Sequence, residues 1–107
     1  MSTTADNSAS RPRPEQATRE DRASGGRWKI VVDGHEAEMT FSRASSTLII
    51  IDHTAVPDPL RGRGVGPALV ERAVQDARRE GFRIIPLCPF AKAQFERHPG
   101  WRDVLSG

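Results

Sequence analysis

The sequence is poor in the features that mark disulfide-stabilised, metal-binding or membrane proteins. Its 107 residues include one cysteine, Cys88, which excludes an internal disulfide and a cysteine-based zinc cluster. The three histidines, His35, His53 and His98, lack the spacing of metal ligands, so we expect no metal. No apolar run is long enough for a transmembrane helix, and the N-terminus has no apolar signal segment. We therefore expect a cytoplasmic protein with no membrane partner.

A strong excess of charge of one sign is also missing. Sixteen Lys and Arg residues stand against 14 Asp and Glu residues, which gives a net charge of +2. This balance argues against a nucleic-acid partner, because such proteins usually carry a dense basic stripe. A hydrophobic fraction of 36% allows one domain with a modest core, which association into a homodimer would help to stabilise.

The N-terminal quarter of the chain has few large apolar residues. Residues 1–26 are instead rich in Ser, Thr, Pro, Arg and Glu. Such a segment buries too little apolar surface to offset the entropy lost on ordering. The sequence therefore predicts a disordered tail over residues 1–26 and a folded domain over residues 27–107.

Three strands are predicted at the start of the folded domain. Residues 28–32 and 36–43 are joined by Asp33-Gly34, a pair that favours a type I′ hairpin. Apolar and polar residues alternate in the second of these strands, which indicates one buried face. Residues 47–54 contain an apolar β-branched run that is typical of a central strand. Together the three strands predict an antiparallel meander.

The second half of the chain predicts helices around one more strand. Residues 67–80 have the apolar spacing of an amphipathic helix, and Gly81 is suited to end it. Residues 82–87 read as a fourth strand, parallel to the third because a helix crosses between them. Pro89 opens a second helix that extends to about residue 97 and offers Phe90 and Phe95 to the core. The predicted fold class is α+β: a three-strand antiparallel meander, a long helix, a parallel fourth strand and a short C-terminal helix.

A glycine-rich loop precedes the long helix and suggests an anion site. Gly62, Gly64 and Gly66 permit positive φ angles and close approach of a ligand to the backbone. The free N–H groups of the helix start follow them, and Arg61 and Arg63 add positive charge. We predict that the loop binds a pyrophosphate; the alternative is a turn that merely requires glycine. The loop lacks the Gly-Lys-Ser/Thr of a Walker A motif and the G-x-G-x-x-G of a dinucleotide fingerprint.

The loop also resembles a known motif. Arg61-Gly62-Arg63-Gly64-Val65-Gly66 is similar to the Q/R-x-x-G-x-G/A loop of the GNAT superfamily of N-acetyltransferases, which use acetyl-CoA. His53-Thr54 before the loop, and Pro86-Leu87-Cys88-Pro89-Phe90 and His98-Pro99 after it, resemble a subfamily of very short GNAT-like proteins. The resemblance covers residues 28–105 and implies a minimal GNAT fold. It implies acetyl-CoA as co-substrate and a primary amine as acceptor.

The resemblance also implies where the co-substrate lies. It places the pantetheine arm in a gap between residues 53–56 and residues 86–88. The residues expected to bind acetyl-CoA are then Thr54, Ala55, Val56, Arg61, Gly62, Arg63, Gly64, Val65, Gly66 and Pro67. The N-terminal helices that line the acceptor pocket of most GNAT enzymes are missing, so the acceptor could be a protein, a peptide or a small molecule.

Two residues near the expected gap could take part in catalysis. Cys88 precedes a prolyl helix start and could protonate the leaving thiolate or form an acyl-enzyme; the alternative is a buried core thiol. His53 could transfer a proton, or its ring could order the loop by hydrogen bonding. Glu36, Glu38 and Asp52 are candidate bases by position only. We expect direct acetyl transfer to an amine in a ternary complex, with a non-catalytic acyl-CoA-binding module as the alternative.

Overall fold

The computed structural model describes residues 12–106, which form one five-stranded sheet packed against helices. The strands lie in the order of the chain: β1 (Thr18–Arg22), β2 (Gly25–Val32), β3 (His35–Ser45), β4 (Leu48–Ala55) and β5 (Arg83–Pro86). Strands β1 to β4 pair antiparallel, and β5 pairs parallel to β4. The α+β fold class and the parallel last strand are therefore confirmed.

The β2–β3 hairpin forms where the sequence predicted it. Asp33 and Gly34 have φ angles of 51° and 78°, the two positive values that a type I′ turn requires. Ala37, Met39 and Phe41 of β3 are buried, which confirms the alternation seen in the sequence. The opposite face of the sheet is charged, and there Arg27 is ion-paired with Glu38.

The predicted disordered tail is wrong over its C-terminal half. Residues 14–16 form a 3₁₀ turn, residues 18–22 form the edge strand β1, and Gly25 and Gly26 already belong to β2. Strand β1 carries no apolar alternation because it is stabilised by backbone pairing to β2 and by ion pairs from Arg19 to Asp76 and Glu80. Charged residues are common on edge strands, where they oppose aggregation, so an apolar pattern could not reveal this one. Residues 1–11 lie outside the described part of the chain.

Helix α1 (Val65–Glu80) covers one face of the sheet. Leu69, Val70, Ala73, Val74 and Ala77 are buried on it, as their helical spacing predicted. Gly81 ends the helix with a φ angle of 80°, the left-handed value expected at a glycine C-cap. Asp76 is the exception on the buried face: its carboxylate is 0% exposed. It accepts hydrogen bonds from Trp28 Nε1 at 2.9 Å, Arg72 Nε at 3.0 Å and Arg19 Nη1 at 3.1 Å.

The C-terminal segment forms helix α2 (Pro89–Arg97) and a 3₁₀ segment, Pro99–Val104. Phe95 is buried and packs edge-on against Trp101, with ring centroids 5.6 Å apart. The prediction that Phe90 joins the core is wrong: its side chain is 36% exposed because it lies at the border of the buried face of α2. Within residues 12–106, no helix is both long and apolar enough to cross a membrane.

Candidate functional site

Strands β4 and β5 separate at one end and leave a gap in the sheet. Their pairing ends with Ile51 opposite Pro86, whereas β4 continues to Ala55. A β-bulge lies at the same place: His53 pairs with Thr40 and Ile51 with Phe41, which leaves Asp52 as an extra residue in β4. Cys88 closes the paired region, since its N–H donates to the Ile51 carbonyl at 3.0 Å. Beyond this bond, no strand of the described residues pairs with that side of β4.

The glycine-rich loop leads directly into helix α1 beside this gap. Gly62 and Gly64 have φ angles of 74° and 83°, and Gly64 is the N-cap of the helix. The first helical hydrogen bond runs from the Ala68 N–H to the Gly64 carbonyl at 3.1 Å. The N–H groups of Val65 and Gly66 precede it and have no partner within the helix. These groups and the helix dipole make the start of α1 suited to bind an anion.

A cleft of about 390 Å³ joins the loop to the gap. It is lined by residues at and just beyond the end of β4, the loop, the first turn of α1 and one residue of α2: Thr54, Val56, Leu60, Arg61, Gly62, Val65, Gly66, Pro67 and Phe90. Gly66 of α1 lies against Phe90 of α2, because a Cβ atom at Gly66 would lie 2.6 Å from Cζ of Phe90. The absence of a side chain at Gly66 therefore leaves room for the ring that forms one wall.

The two loop arginines differ in position. Arg61 lines the cleft, is mostly exposed and has Nε 3.1 Å from Oδ1 of Asp58. Arg63 turns the other way, and its Nη1 lies 3.0 Å from Oδ2 of Asp33 at the tip of the β2–β3 hairpin. Exposed ion pairs of this kind contribute about 0–1 kcal/mol, so a phosphate could compete for Arg61 at little cost.

Cys88 lies across the gap from Thr54, one of the residues that line the cleft. It is 5% exposed, and its Sγ lies 3.5 Å from Oγ1 of Thr54. Burial raises the pKa of the thiol, but hydrogen bonds from the Thr54 hydroxyl and from the backbone of Ala91 and Phe90 outweigh it, so the pKa is lowered. The start of α2 therefore stabilises a thiolate at this position.

His53 lies on the other side of the sheet from Cys88. It pairs with Thr40, whose neighbours Met39 and Phe41 face the core, so the His53 side chain points to the charged face. The ring is exposed, and it makes no hydrogen bond with any residue in the described part of the chain. The alternative role of His53, ordering the loop through its ring, has no such bond to support it. Asp52 is beside it, with Oδ2 2.5 Å from Oγ of Ser42.

The remaining two histidines lie away from the cleft. His98 is structural: its Nδ1 lies 2.8 Å from the Gln94 carbonyl, and its ring stacks on Trp101 with centroids 3.9 Å apart. His35 is exposed at the start of β3. Neither side chain lines the cleft.

Most of the residues predicted to bind the co-substrate come together in the cleft. Thr54, Val56, Arg61, Gly62, Val65, Gly66 and Pro67 line it. Gly64 instead shapes the loop as the N-cap, Ala55 pairs with Glu38 on the charged face, and Arg63 contacts Asp33. Sequence reasoning missed Leu60 and Phe90. The signal for Leu60 was a single large apolar residue within a polar loop, and it is 0% exposed here.

Comparison with known proteins identifies the family. A model of GCN5-related N-acetyltransferases matches residues 27–104, which is most of the chain. The chain belongs to the family of GCN5-related N-acetyltransferases. The predicted GNAT resemblance is thereby confirmed, and acetyl transfer is the activity that the family supports.

A solved structure supports the same assignment. It is the NMR solution structure of a GCN5-like protein from Staphylococcus aureus that is proposed to be an N-acetyltransferase. The two sequences are 33% identical, and the match covers 86% of this chain and 90% of that chain with a TM-score of 0.65. This GCN5-related N-acetyltransferase therefore shares its fold over nearly the whole length of the comparison protein.

Proposed function

We propose that the protein transfers an acetyl group from acetyl-CoA to a primary amine, directly and within a ternary complex. The observation that carries the proposal is the cleft that joins an anion-binding helix start to the gap between β4 and β5. A CoA molecule combines a pyrophosphate with a flexible arm that ends in a thiol, and these two parts suit the two ends of the cleft.

The phosphate end of the proposed site is the loop and the first turn of α1. The N–H groups of Val65 and Gly66 would bind phosphate oxygens, and Gly62 would allow them to approach the backbone. Arg61 adds a charge that can form two parallel hydrogen bonds with a phosphate. Pro67 donates no hydrogen bond itself, but it lines the cleft, and its fixed backbone angle suits the first turn of the helix that holds these N–H groups.

The reacting end of the proposed site is the gap. Along β4 beyond the bulge, backbone groups that no longer pair with β5 can hydrogen-bond the amides of the pantetheine arm. Acetyl-CoA supplies an activated thioester, and the chain has to bind it, receive the amine and move protons. Thr54 and Cys88 lie on the cleft side of the sheet, and this position supports a role for Cys88 as the acid that returns a proton to the leaving sulfur.

The amine needs a proton acceptor on its own side of the gap. His53 lies on the face of the sheet opposite Cys88, so the two groups approach the gap from different sides. This arrangement suits direct transfer, in which His53 takes the proton of the amine and Cys88 donates to the thiolate. A covalent acetyl-cysteine is less favoured, because no histidine in the described part of the chain lies beside Cys88 to activate it.

Binding and turnover test the proposal separately. Isothermal calorimetry with CoA should show one site per chain, and a screen of amines with acetyl-CoA should release free thiol only when an acceptor is present. Absence of CoA binding would contradict the whole proposal. Binding without transfer to any amine would instead support the alternative, a non-catalytic acyl-CoA-binding module.

A further inference from the structure

A second cavity lies beside the gap, on the other side of Cys88. This groove of about 540 Å³ is bounded by β5, by α2 and by the C-terminal 3₁₀ segment. Ile85, Leu87, Phe95 and Leu105 give it an apolar surface. Lys92, Glu96 and Arg102 also line it, and none of the three forms an ion pair within residues 12–106. Cavities of roughly 300–1,000 Å³ with mainly apolar walls and a few polar groups are typical of small-molecule sites.

The groove and the proposed acetyl-CoA cleft are one residue apart. Leu87 lines the groove, and the next residue, Cys88, turns its thiol to Thr54 on the cleft side. Consecutive Cα atoms are about 3.8 Å apart, so a molecule that rests on Leu87 brings its end group close to the gap. The groove is therefore positioned to present a ligand to the reacting end of the cleft.

The exposure of apolar side chains marks the same place. In the described part of the chain, the exposed large hydrophobic residues are Val31 at 58%, Leu87 at 67% and Phe90 at 36%. Leu87 and Phe90 lie on either side of Cys88 in the sequence. Phe90 lines the cleft, and Leu87 lines the groove. Exposed apolar surface in a cavity is commonly a binding surface, whereas a single exposed side chain such as Val31 needs no such explanation.

We propose that this groove binds the acceptor, and that the acceptor is a small primary amine joined to an apolar body. The proposal rests on the acetyl transfer proposed above and adds the substrate class to it. The apolar body lies on Ile85, Leu87 and Phe95, while the amine passes over Leu87 into the gap. There it reacts with the thioester carbonyl carbon: the C–N bond forms, the C–S bond breaks, the amine loses a proton, and CoA leaves as the thiol.

Binding of an amine can be followed without acetyl-CoA. Phenethylamine, which is apolar, should shift the backbone amide signals of Ile85, Leu87 and Phe95 in an NMR titration of the full chain, and ethanolamine should not. Leu87→Gln should abolish these shifts. Val31→Gln is the control, because it changes another exposed apolar residue at a distance from the groove, and it should leave the shifts unchanged. CoA affinity, measured by calorimetry, should be the same in both variants.

Turnover supplies the second readout. With saturating acetyl-CoA, Leu87→Gln should raise the KM for phenethylamine about tenfold and leave the KM for ethanolamine unchanged. Shifts that are absent, or that lie outside the groove, would overturn the acceptor assignment even if CoA binds. If the groove signals move with protein concentration alone, the groove binds a second copy of the chain. If they move on removal of residues 1–11, it binds the N-terminal segment. Either result would overturn the acceptor assignment. Loss of CoA binding in the wild-type chain would count against the acetyl transfer, not against the groove.

Discussion

The Sγ atom of Cys88 and the Oγ1 atom of Thr54 lie 3.5 Å apart, and this contact joins the start of α2 to the free end of β4. The two residues are 34 positions apart in the sequence, and they meet because β5 pairs with β4 only as far as Pro86. The contact marks the place where the sheet opens. It also couples the ionisation of a buried thiol to a hydroxyl that lines the proposed acetyl-CoA cleft.

Replacing Thr54 by Val should raise the pKa of Cys88, because the variant removes a donor that stabilises the thiolate while burial remains. The thiolate absorbance in the ultraviolet measures this pKa, with Cys88→Ser as the blank. Thr40→Val is the matched control: the Thr40 hydroxyl lies 3.5 Å from the His53 carbonyl, on the opposite face of the sheet. An unchanged pKa in Thr54→Val would show that the hydroxyl does not act on the thiol.

Replacing Cys88 by Ala should slow transfer by about 100-fold, the usual contribution of a positioned acid, and leave the kinetics sequential. Incubation of the wild-type chain with acetyl-CoA alone should then leave its intact mass unchanged. Cys88 would be a covalent nucleophile if one acetyl group were added, released by hydroxylamine and discharged by an amine. Full turnover in Cys88→Ala would show that the thiol takes no part in catalysis and only packs in the core.

Replacing Gly62 by Ala should weaken CoA binding about tenfold, or about 1.4 kcal/mol, because the added Cβ projects into open space in the cleft. Gly81→Ala is the matched control. Gly62 and Gly81 have φ angles of 74° and 80°, so each variant should lose about 1 kcal/mol of unfolding free energy through the left-handed backbone. Calorimetry measures affinity, and chemical denaturation measures stability. Equal CoA affinity in the two variants would contradict the phosphate assignment of the loop.

Replacing Asp76 by Asn should lower the free energy of unfolding by about 3 kcal/mol, since it leaves Arg19 and Arg72 without their shared buried carboxylate. Although burial raises the pKa of Asp76, hydrogen bonds from Trp28, Arg72 and Arg19 outweigh it and lower the pKa. The stabilisation is therefore complete at neutral pH and is lost as the pH falls through that lowered pKa. Urea denaturation across the acid range should show a larger loss in the wild-type chain than in the variant, which keeps the smaller contributions of exposed carboxylates such as Glu20 and Asp103. Asp103→Asn, which breaks the exposed pair with Arg78, should have a smaller effect.

Deleting residues 1–23 should lower the melting temperature by about 5 °C or more, since about 1 kcal/mol corresponds to roughly 4–8 °C in a domain of this size. The deletion removes the backbone pairing of β1 and the bonds from Arg19 to Asp76 and Glu80. A deletion of residues 1–11 retains all of these contacts, so the difference between the two variants measures the contribution of residues 12–23, which include the 3₁₀ turn, the buried Ala17 and β1. Circular dichroism measures both melting curves, and equal curves would show that this segment adds nothing to stability.

The sequence by itself determined the elements whose signals are local. Apolar alternation predicted the buried face of β3, Asp33-Gly34 predicted the hairpin, and Gly81 predicted the end of α1. The glycine-rich loop before a helix likewise predicted an anion site, because its requirements are backbone angles and free N–H groups within a few residues. Elements with these short-range causes can be read from neighbouring residues alone.

Only the tertiary structure decided what depends on distant partners. Strand β1 was missed because Arg19 reaches a carboxylate, Asp76, that lies 57 positions along the chain, and no local pattern records such a pair. Phe90 faces the cleft instead of the core because Gly66 leaves space for its ring. The sheet separates His53 from Cys88 because the β-bulge at Asp52 sets His53 opposite Thr40, so the His53 side chain points to the charged face. This register depends on strand β3 and is not visible in the residues around His53.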